Sequence, residues 1–172
     1  MPPLKFLPIN EFGKSQKSID TNKTRSLMGS MKAKQLKIMG NEAFQQRKYF
    51  EAEKLYSKAI ELDVGSRPLW TNRAACRNTM KKYDGAISDC DQALSIDPKC
   101  TRSMIEKGNA LLGLRRFDEA NQVYESLRAL GEDSSADLHL KKLRDAQDRI
   151  LYFKILVFFQ NSKVRIDYFK IS

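Results

Sequence analysis

Four side chains of this sequence together suit the capture of a carboxylate. They are two cations, Lys37 and Arg102, and two carboxamides, Asn41 and Asn72. A side-chain cation offers charge-assisted hydrogen bonds worth roughly 1.5 to 3 kcal/mol each, and an asparagine donates an N–H without adding repulsion. Lys37 and Asn41 are four residues apart, so they share one face of a helix. A free C-terminus that follows an acidic side chain is the ligand that matches this set.

Catalytic and metal chemistry finds no support in the residue types. Cys76, Cys90 and Cys100 form an odd set without a CxxC pair, and His139 is the one histidine of the sequence. We therefore expect neither a disulfide framework nor a zinc site, and we interpret the cysteines as buried apolar thiols in a reducing compartment. No serine or acid stands in register with the histidine. The sequence predicts a protein that is not an enzyme and that needs no cofactor.

A repeat of 34 residues organises the middle of the chain. When the windows 33–66, 67–100 and 101–134 are aligned without gaps, the same residue types share columns. The eighth column is small, with Gly40, Ala74 and Gly108, and the twentieth holds three alanines. The seventeenth column is aromatic in every window, and the twenty-fourth reads Tyr, Cys, Tyr. Within each window the apolar residues recur at steps of three and four in two stretches, which predicts a pair of helices.

This column pattern resembles the tetratricopeptide repeat, and the resemblance covers residues 33–134. It implies an all-α fold: a right-handed α-solenoid of three helical hairpins, whose first helices line a concave groove. A repeat array also needs a terminal helix with a polar outer face, and "SADLHLKKLRDAQDRI" supplies one. We therefore predict a capping helix over residues 135–160. Small residues in two columns would let backbones approach closely, and the aromatic columns would fill the space between neighbouring hairpins.

The stretches "GNEAF" and "TNRAA" resemble the groove of co-chaperones that hold the C-terminal Glu-Glu-Val-Asp tail of the ninety- and seventy-kilodalton heat-shock chaperones. The resemblance implies that Lys37, Asn41 and Asn72 grip the terminal carboxylate region and that Arg102 grips a second carboxylate. It implies a non-enzymatic adaptor whose partner is this chaperone tail or another extended peptide. Glu106 departs from the pattern, because the family often has arginine there. A carboxylate in the groove would repel an acidic ligand by on the order of 1 to 3 kcal/mol.

Other conspicuous side chains are given structural roles. Trp70 is expected to pack in the core instead of forming a platform for a ligand. We interpret Arg73 and Arg77 as solvated charges or charges at the edge of the array, and we place His139 on the exposed side of the capping helix.

The formal charge of +10 is spread unevenly along the chain. Residues 1–32 and 135–172 each carry a net charge of +4, whereas residues 33–134 carry +2. The near-neutral middle argues against a large surface that follows a phosphate backbone. The sequence has no apolar core of a secretory signal and no run of ~18 to 20 apolar residues. We expect a soluble, cytoplasmic protein without nucleic-acid or membrane partners, and the sequence specifies no oligomeric state.

The two ends differ from the repeats. Residues 1–30 lack a sustained apolar period and are predicted to form a disordered, basic arm. The segment "LYFKILVFFQNSKVRIDYFKIS" turns abruptly to Phe, Ile, Tyr and Lys. Either the capping helix continues through Phe159 and packs its apolar face on the array, or the segment is a read-through product. The tail at 161–172 is left unassigned.

Three alternatives to chaperone binding remain open. The groove could take a different peptide or helix within a multiprotein assembly, such as that of axonemal dyneins, in which one member of the family acts. The hairpins could belong to an enzyme whose catalytic part lies elsewhere. The basic flanks could bind nucleic acid, which predicts a steep salt dependence.

Overall fold

The computed structural model describes residues 21–161, and these form seven α-helices without a β-strand. The helices are α1 (Thr21–Gln45), α2 (Tyr49–Leu62), α3 (Arg67–Thr79), α4 (Tyr83–Ile96), α5 (Thr101–Gly113), α6 (Phe117–Ala129) and α7 (Asp133–Asn161). Each helix packs on the next one in the chain. In addition, α1 contacts α3, and α3 contacts α5. The prediction of an all-α helical-repeat solenoid is confirmed, with α1, α3 and α5 side by side in an inner layer.

The small and aromatic columns pack against one another as complementary shapes. A Cβ atom added to Gly40 would lie 2.7 Å from the ring of Tyr56, so only glycine admits this ring at that position. Tyr56 is 2% exposed and shares a core cluster with Leu69 and Cys76 of α3. The twenty-fourth column therefore fills space inside its own hairpin as well as between hairpins.

Each hairpin turns through a basic residue in the left-handed conformation. Arg47, Lys81 and Arg115 have φ angles of 61°, 60° and 60°, and each is the fifteenth residue of its window. At the second turn, the N–H of Lys81 donates to the carbonyl of Asn78 and the N–H of Lys82 to that of Arg77. These bonds close the end of α3 in the pattern that usually places glycine at the left-handed position.

Replacing Lys81 by glycine is therefore expected to raise the free energy of unfolding by about 1 kcal/mol, because it removes the steric cost of a side chain at positive φ. Lys81 is exposed, and its side chain forms no hydrogen bond or ion pair among residues 21–161. Chemical denaturation followed by circular dichroism measures the change. The same substitution at exposed Lys58, inside α2, should lower stability by a similar amount. A loss of stability in Lys81→Gly would contradict this interpretation.

The structure corrects the expectations for the two ends. Residues 21–30, assigned above to the N-terminal arm, are helical and extend α1, and this stretch contains no proline that would interrupt the helix. The rest of that arm and residues 162–172 lie outside the described residues. Residues 151–160 continue α7 but are exposed, so this segment does not pack its apolar face on the array. Leu140 and Leu143 make the buried contacts of α7 instead.

His139 is buried instead of exposed. Only 8% of its surface is accessible, its Nδ1 lies 2.7 Å from the carbonyl oxygen of Ser135, and its ring lies against Tyr124 at a centroid distance of 5.2 Å. The sequence pattern misplaced it because a histidine among charged residues has the appearance of a surface residue. Trp70, by contrast, packs as expected against the core cluster that contains Tyr56 and Leu69, and its Nε1 donates to the carbonyl of Val64.

Arg73 and Arg77 form a partly buried ion network, which corrects their interpretation as solvated charges or charges at the edge of the array. Arg73 makes two hydrogen bonds to the carboxylate of Asp89, at 2.9 and 2.7 Å, and Arg77 lies 2.9 Å from the same carboxylate. Arg77 also pairs with Glu53, which binds Lys82 at 2.7 Å. Burial would raise the pKa of Glu53, but the hydrogen bonds and charges of Lys82 and Arg77 hold it below its usual value. The network joins α2, α3 and α4.

Candidate carboxylate-binding groove

A cavity of about 240 Å³ opens on the inner layer where α1, α3 and α5 meet. Three of the four residues expected to bind a carboxylate, Asn41, Asn72 and Arg102, line it together. The remaining lining residues are Phe44, Gln45, Tyr56 and Ala75. Lys37 is half-buried one helical turn before Asn41 and does not line this cavity. The structure thus brings together the two carboxamides and one cation, with the second cation at the next turn of α1.

Asn41 is oriented by two hydrogen bonds to its carbonyl oxygen. The hydroxyl of Tyr56 donates to Asn41 Oδ1 at 2.7 Å, and Nδ2 of Asn72 donates to the same atom at 3.1 Å. The amide nitrogen of Asn41 has no hydrogen-bond partner among the described residues. Because the acceptor of Asn41 is fully used, its two N–H groups are left to serve a ligand.

Tyr56 adds a function that the sequence pattern did not assign, since its column indicated core packing alone. Burial raises the pKa of Tyr56 to about 12, so the hydroxyl remains protonated and donates its hydrogen bond throughout the neutral range. The third hairpin repeats the arrangement, with the Tyr124 hydroxyl 3.3 Å from Oδ1 of Asn109. In the sequence, the signal for this hydrogen bond is a tyrosine fifteen residues after an asparagine, which occurs in the first and third windows.

Arg102 brings positive charge to the cavity from the first turn of α5. Its side chain is exposed and forms no ion pair among the described residues. The guanidinium can therefore meet an incoming anion without first breaking a salt bridge. Together with the free amide N–H groups, it makes a site whose chemistry is the donation of hydrogen bonds to an oxyanion.

Glu106 lies one turn after Arg102 on α5 but does not line the 240 Å³ cavity. Its carboxylate accepts a hydrogen bond of 2.8 Å from Nδ2 of Asn78, which also donates to the Glu106 carbonyl at 2.9 Å. The carboxylate is thus turned towards the C-terminal end of α3, away from the residues that line the cavity.

The three cysteines are buried, as expected, and are not joined by a disulfide within the described residues. Burial raises the pKa of Cys76 to about 12. Burial would also raise the pKa of Cys100, but hydrogen bonds from Ser103 and the nearby Arg67 lower it below the usual value. No helix within residues 21–161 combines the length and apolar character needed to cross a bilayer.

Comparisons with known proteins agree with the helical-repeat fold described above. Residues 68–100 match the family described as the tetratricopeptide repeat. The chain is 35% identical over 119 residues to small glutamine-rich tetratricopeptide repeat-containing protein 2 of Mycosarcoma maydis, covering 69% of this chain and 33% of that protein. It is 35% identical over 92 residues to human tetratricopeptide repeat protein 12, covering 54% of this chain and 13% of that protein.

A solved structure matches over nearly its whole length. It is the first tetratricopeptide repeat domain of Spaghetti (RPAP3) bound to the HSP90 peptide SRMEEVD. The identity is 34%, the TM-score is 0.64, and the match covers 69% of this chain and 98% of that domain. The match therefore spans nearly the whole of that domain, whereas the chain spans a third or less of the two longer relatives.

Proposed function

The chain belongs to the tetratricopeptide repeat family, and on that basis we propose that its groove binds the acidic C-terminal tail of a ninety- or seventy-kilodalton heat-shock chaperone. The protein would act as a non-catalytic adaptor in the cytoplasm, with the chaperone tail held in the groove formed by α1, α3 and α5.

The observation that carries this proposal is the double use of Asn41 Oδ1 by Tyr56 and Asn72. An asparagine held in this way presents N–H groups of fixed direction, so a ligand oxygen meets a preorganised donor. Arg102 reaches the same cavity with an unpaired charge. A carboxylate at this point would replace water on both groups with charge-assisted hydrogen bonds.

Lys37 is proposed to contact the part of the ligand that lies outside the cavity. It lies one turn from Asn41 on the same face of α1, so its ammonium group is within reach of a ligand that extends beyond the cavity. The solved complex of a similar domain with SRMEEVD supports a tail that ends in Glu-Glu-Val-Asp, with three acidic side chains among its last four residues. Two or three charge-assisted contacts of roughly 1.5 to 3 kcal/mol each sum to about 3 to 9 kcal/mol. Because a micromolar Kd corresponds to about 8 kcal/mol after the cost of ordering the peptide, contacts of the other peptide residues along the groove must supply the remainder.

The test is a titration of fluorescently labelled SRMEEVD, followed by anisotropy, against the wild-type protein and three single variants. Arg102→Ala and Asn41→Ala are each expected to weaken binding about tenfold, which corresponds to the loss of roughly 1.4 kcal/mol. Lys58→Ala is the matched control, because Lys58 is an exposed cation on the outer helix α2. This control should bind as the wild type does.

Equal affinities for wild type, Arg102→Ala and Asn41→Ala would contradict the assignment of the groove. Loss of binding in Lys58→Ala as well would show that the attraction is a general effect of positive charge.

A further inference from the structure

We propose that the groove has a second binding position at Glu106, which selects ligands with a cationic side chain upstream of the acidic C-terminus. This inference rests on the proposed function, because it concerns another part of the same ligand.

The repeat register places Glu106 in the groove. Within the 34-residue windows, Glu106 holds the sixth position, which is the position of Asn72, and Asn78 holds the twelfth, which is the position of Phe44. Asn72 and Phe44 line the 240 Å³ cavity between the first and second hairpins. Glu106 and Asn78 therefore occupy the equivalent place one hairpin further along the inner layer.

The carboxylate of Glu106 is half-buried and has no ion pair within the described part of the chain. By contrast, the buried carboxylate of Asp89 and the half-buried carboxylate of Glu53 are each paired with two cations. Lys107, the neighbour of Glu106, is engaged by Asp91 at 2.6 Å. Removing a carboxylate from water without a cation is unfavourable, so a ligand cation that completes the pair would be favoured here.

One oxygen of Glu106 is available for this contact. Asn78 occupies Oε2, whereas Oε1 has no hydrogen-bond partner among the described residues. The hydrogen bond from Asn78 also fixes the direction of the carboxylate. A guanidinium or ammonium group would add a charge-assisted bond to a carboxylate that is already oriented.

The spacing of the two positions fits a short peptide. Packed helices lie about 8 to 10 Å apart, and an extended chain advances about 3.3 Å per residue, so one hairpin step corresponds to about three residues. A long cationic side chain adds the reach of about two more. The peptide SRMEEVD carries its arginine five residues before its terminal aspartate. An arginine or lysine at this distance is the ligand chemistry that the second position requires.

The experiment compares two peptides, SRMEEVD and SAMEEVD, on the wild type and on Glu106→Gln, by isothermal titration calorimetry at low salt. Glutamine retains an oxygen that can accept the hydrogen bond of Asn78 while removing the charge. The wild type should bind SRMEEVD about fivefold more tightly than SAMEEVD. In Glu106→Gln this preference should fall below about twofold, and SAMEEVD itself should bind more tightly than it does to the wild type. Glu61→Gln, which removes an exposed charge on α2, should retain the wild-type preference.

The outcomes separate this inference from the proposed function. An unchanged preference for arginine in Glu106→Gln, with binding that still requires the free C-terminus, would overturn the role of Glu106 alone. Failure of both peptides to bind the wild type would overturn the proposed function and this inference with it. An equal loss of preference in Glu61→Gln would also overturn it, because a general effect of charge would then explain the result.

Discussion

Replacing Asp89 by alanine is expected to lower the free energy of unfolding by about 3 to 5 kcal/mol. The side chain of Asp89 is 2% exposed and holds both Arg73 and Arg77, whose side chains are only 13% and 21% exposed. Removal of the carboxylate leaves two guanidinium groups close together without their shared counter-charge. Breaking such a pair costs more than the pair contributes, because the remaining charges stay desolvated. Urea denaturation followed by circular dichroism measures the loss.

Asp91→Ala is the matched control for this substitution. Asp91 lies two residues further along α4 and pairs with Lys107 at 2.6 Å, but its side chain is 50% exposed. Exposed ion pairs contribute about 0 to 1 kcal/mol, so the control should remain close to the wild type. If Asp89→Ala lost less than about 1 kcal/mol, the network would be as weak as a surface pair, and its burial would have no energetic consequence.

Replacing Gly108 by alanine is expected to lower the free energy of unfolding by about 2 to 3 kcal/mol. The added Cβ atom would lie 2.5 Å from Cζ of Tyr124 and 2.8 Å from its hydroxyl oxygen. Tyr124 is fully buried, and His139 lies against its ring, so the ring has no space into which it can withdraw. The intrinsic helix preference of alanine over glycine, about 1 kcal/mol, is too small to offset this overlap.

Gly29→Ala provides the comparison at a helical glycine of α1. No atom lies within 4 Å of a Cβ added there, so this variant should be as stable as the wild type or slightly more stable. Thermal unfolding of both variants separates the packing effect from helix propensity. A Gly108→Ala protein as stable as Gly29→Ala would contradict the close approach of α5 and Tyr124.

The fold follows from the sequence because the first and third windows repeat the same steric requirement, and the middle window meets it with the smaller pair Ala74 and Cys90. Gly40 and Gly108 recur in one column, and Tyr56 and Tyr124 recur in the column that packs against it. The ends of the array were less predictable, since α1 and α7 continue beyond the hairpins without the column pattern. The buried ion network was missed because Arg73 and Asp89 are sixteen residues apart, and no local period connects them.

The site was partly predictable, because the repeat register also fixes which side chains face the groove. Residue type and register were sufficient to bring Asn41, Asn72 and Arg102 to one cavity. The role of Tyr56 depends on the direction of its hydroxyl, which a column of aromatic residues does not specify. The direction of the Glu106 carboxylate likewise depends on Asn78, which belongs to a different hairpin.

Recognition of a free C-terminal carboxylate by the groove is tested by comparing two forms of one peptide. One form of SRMEEVD has a free C-terminus and the other has a C-terminal amide. The two forms differ by the negative charge of the terminal carboxylate, which is the group that Asn41, Asn72 and Arg102 are proposed to bind. Calorimetric titration of the wild-type protein should give micromolar binding of the free acid and at least tenfold weaker binding of the amide. Equal binding of the two peptides, or binding of neither, would contradict the assignment of this groove to a carboxylate.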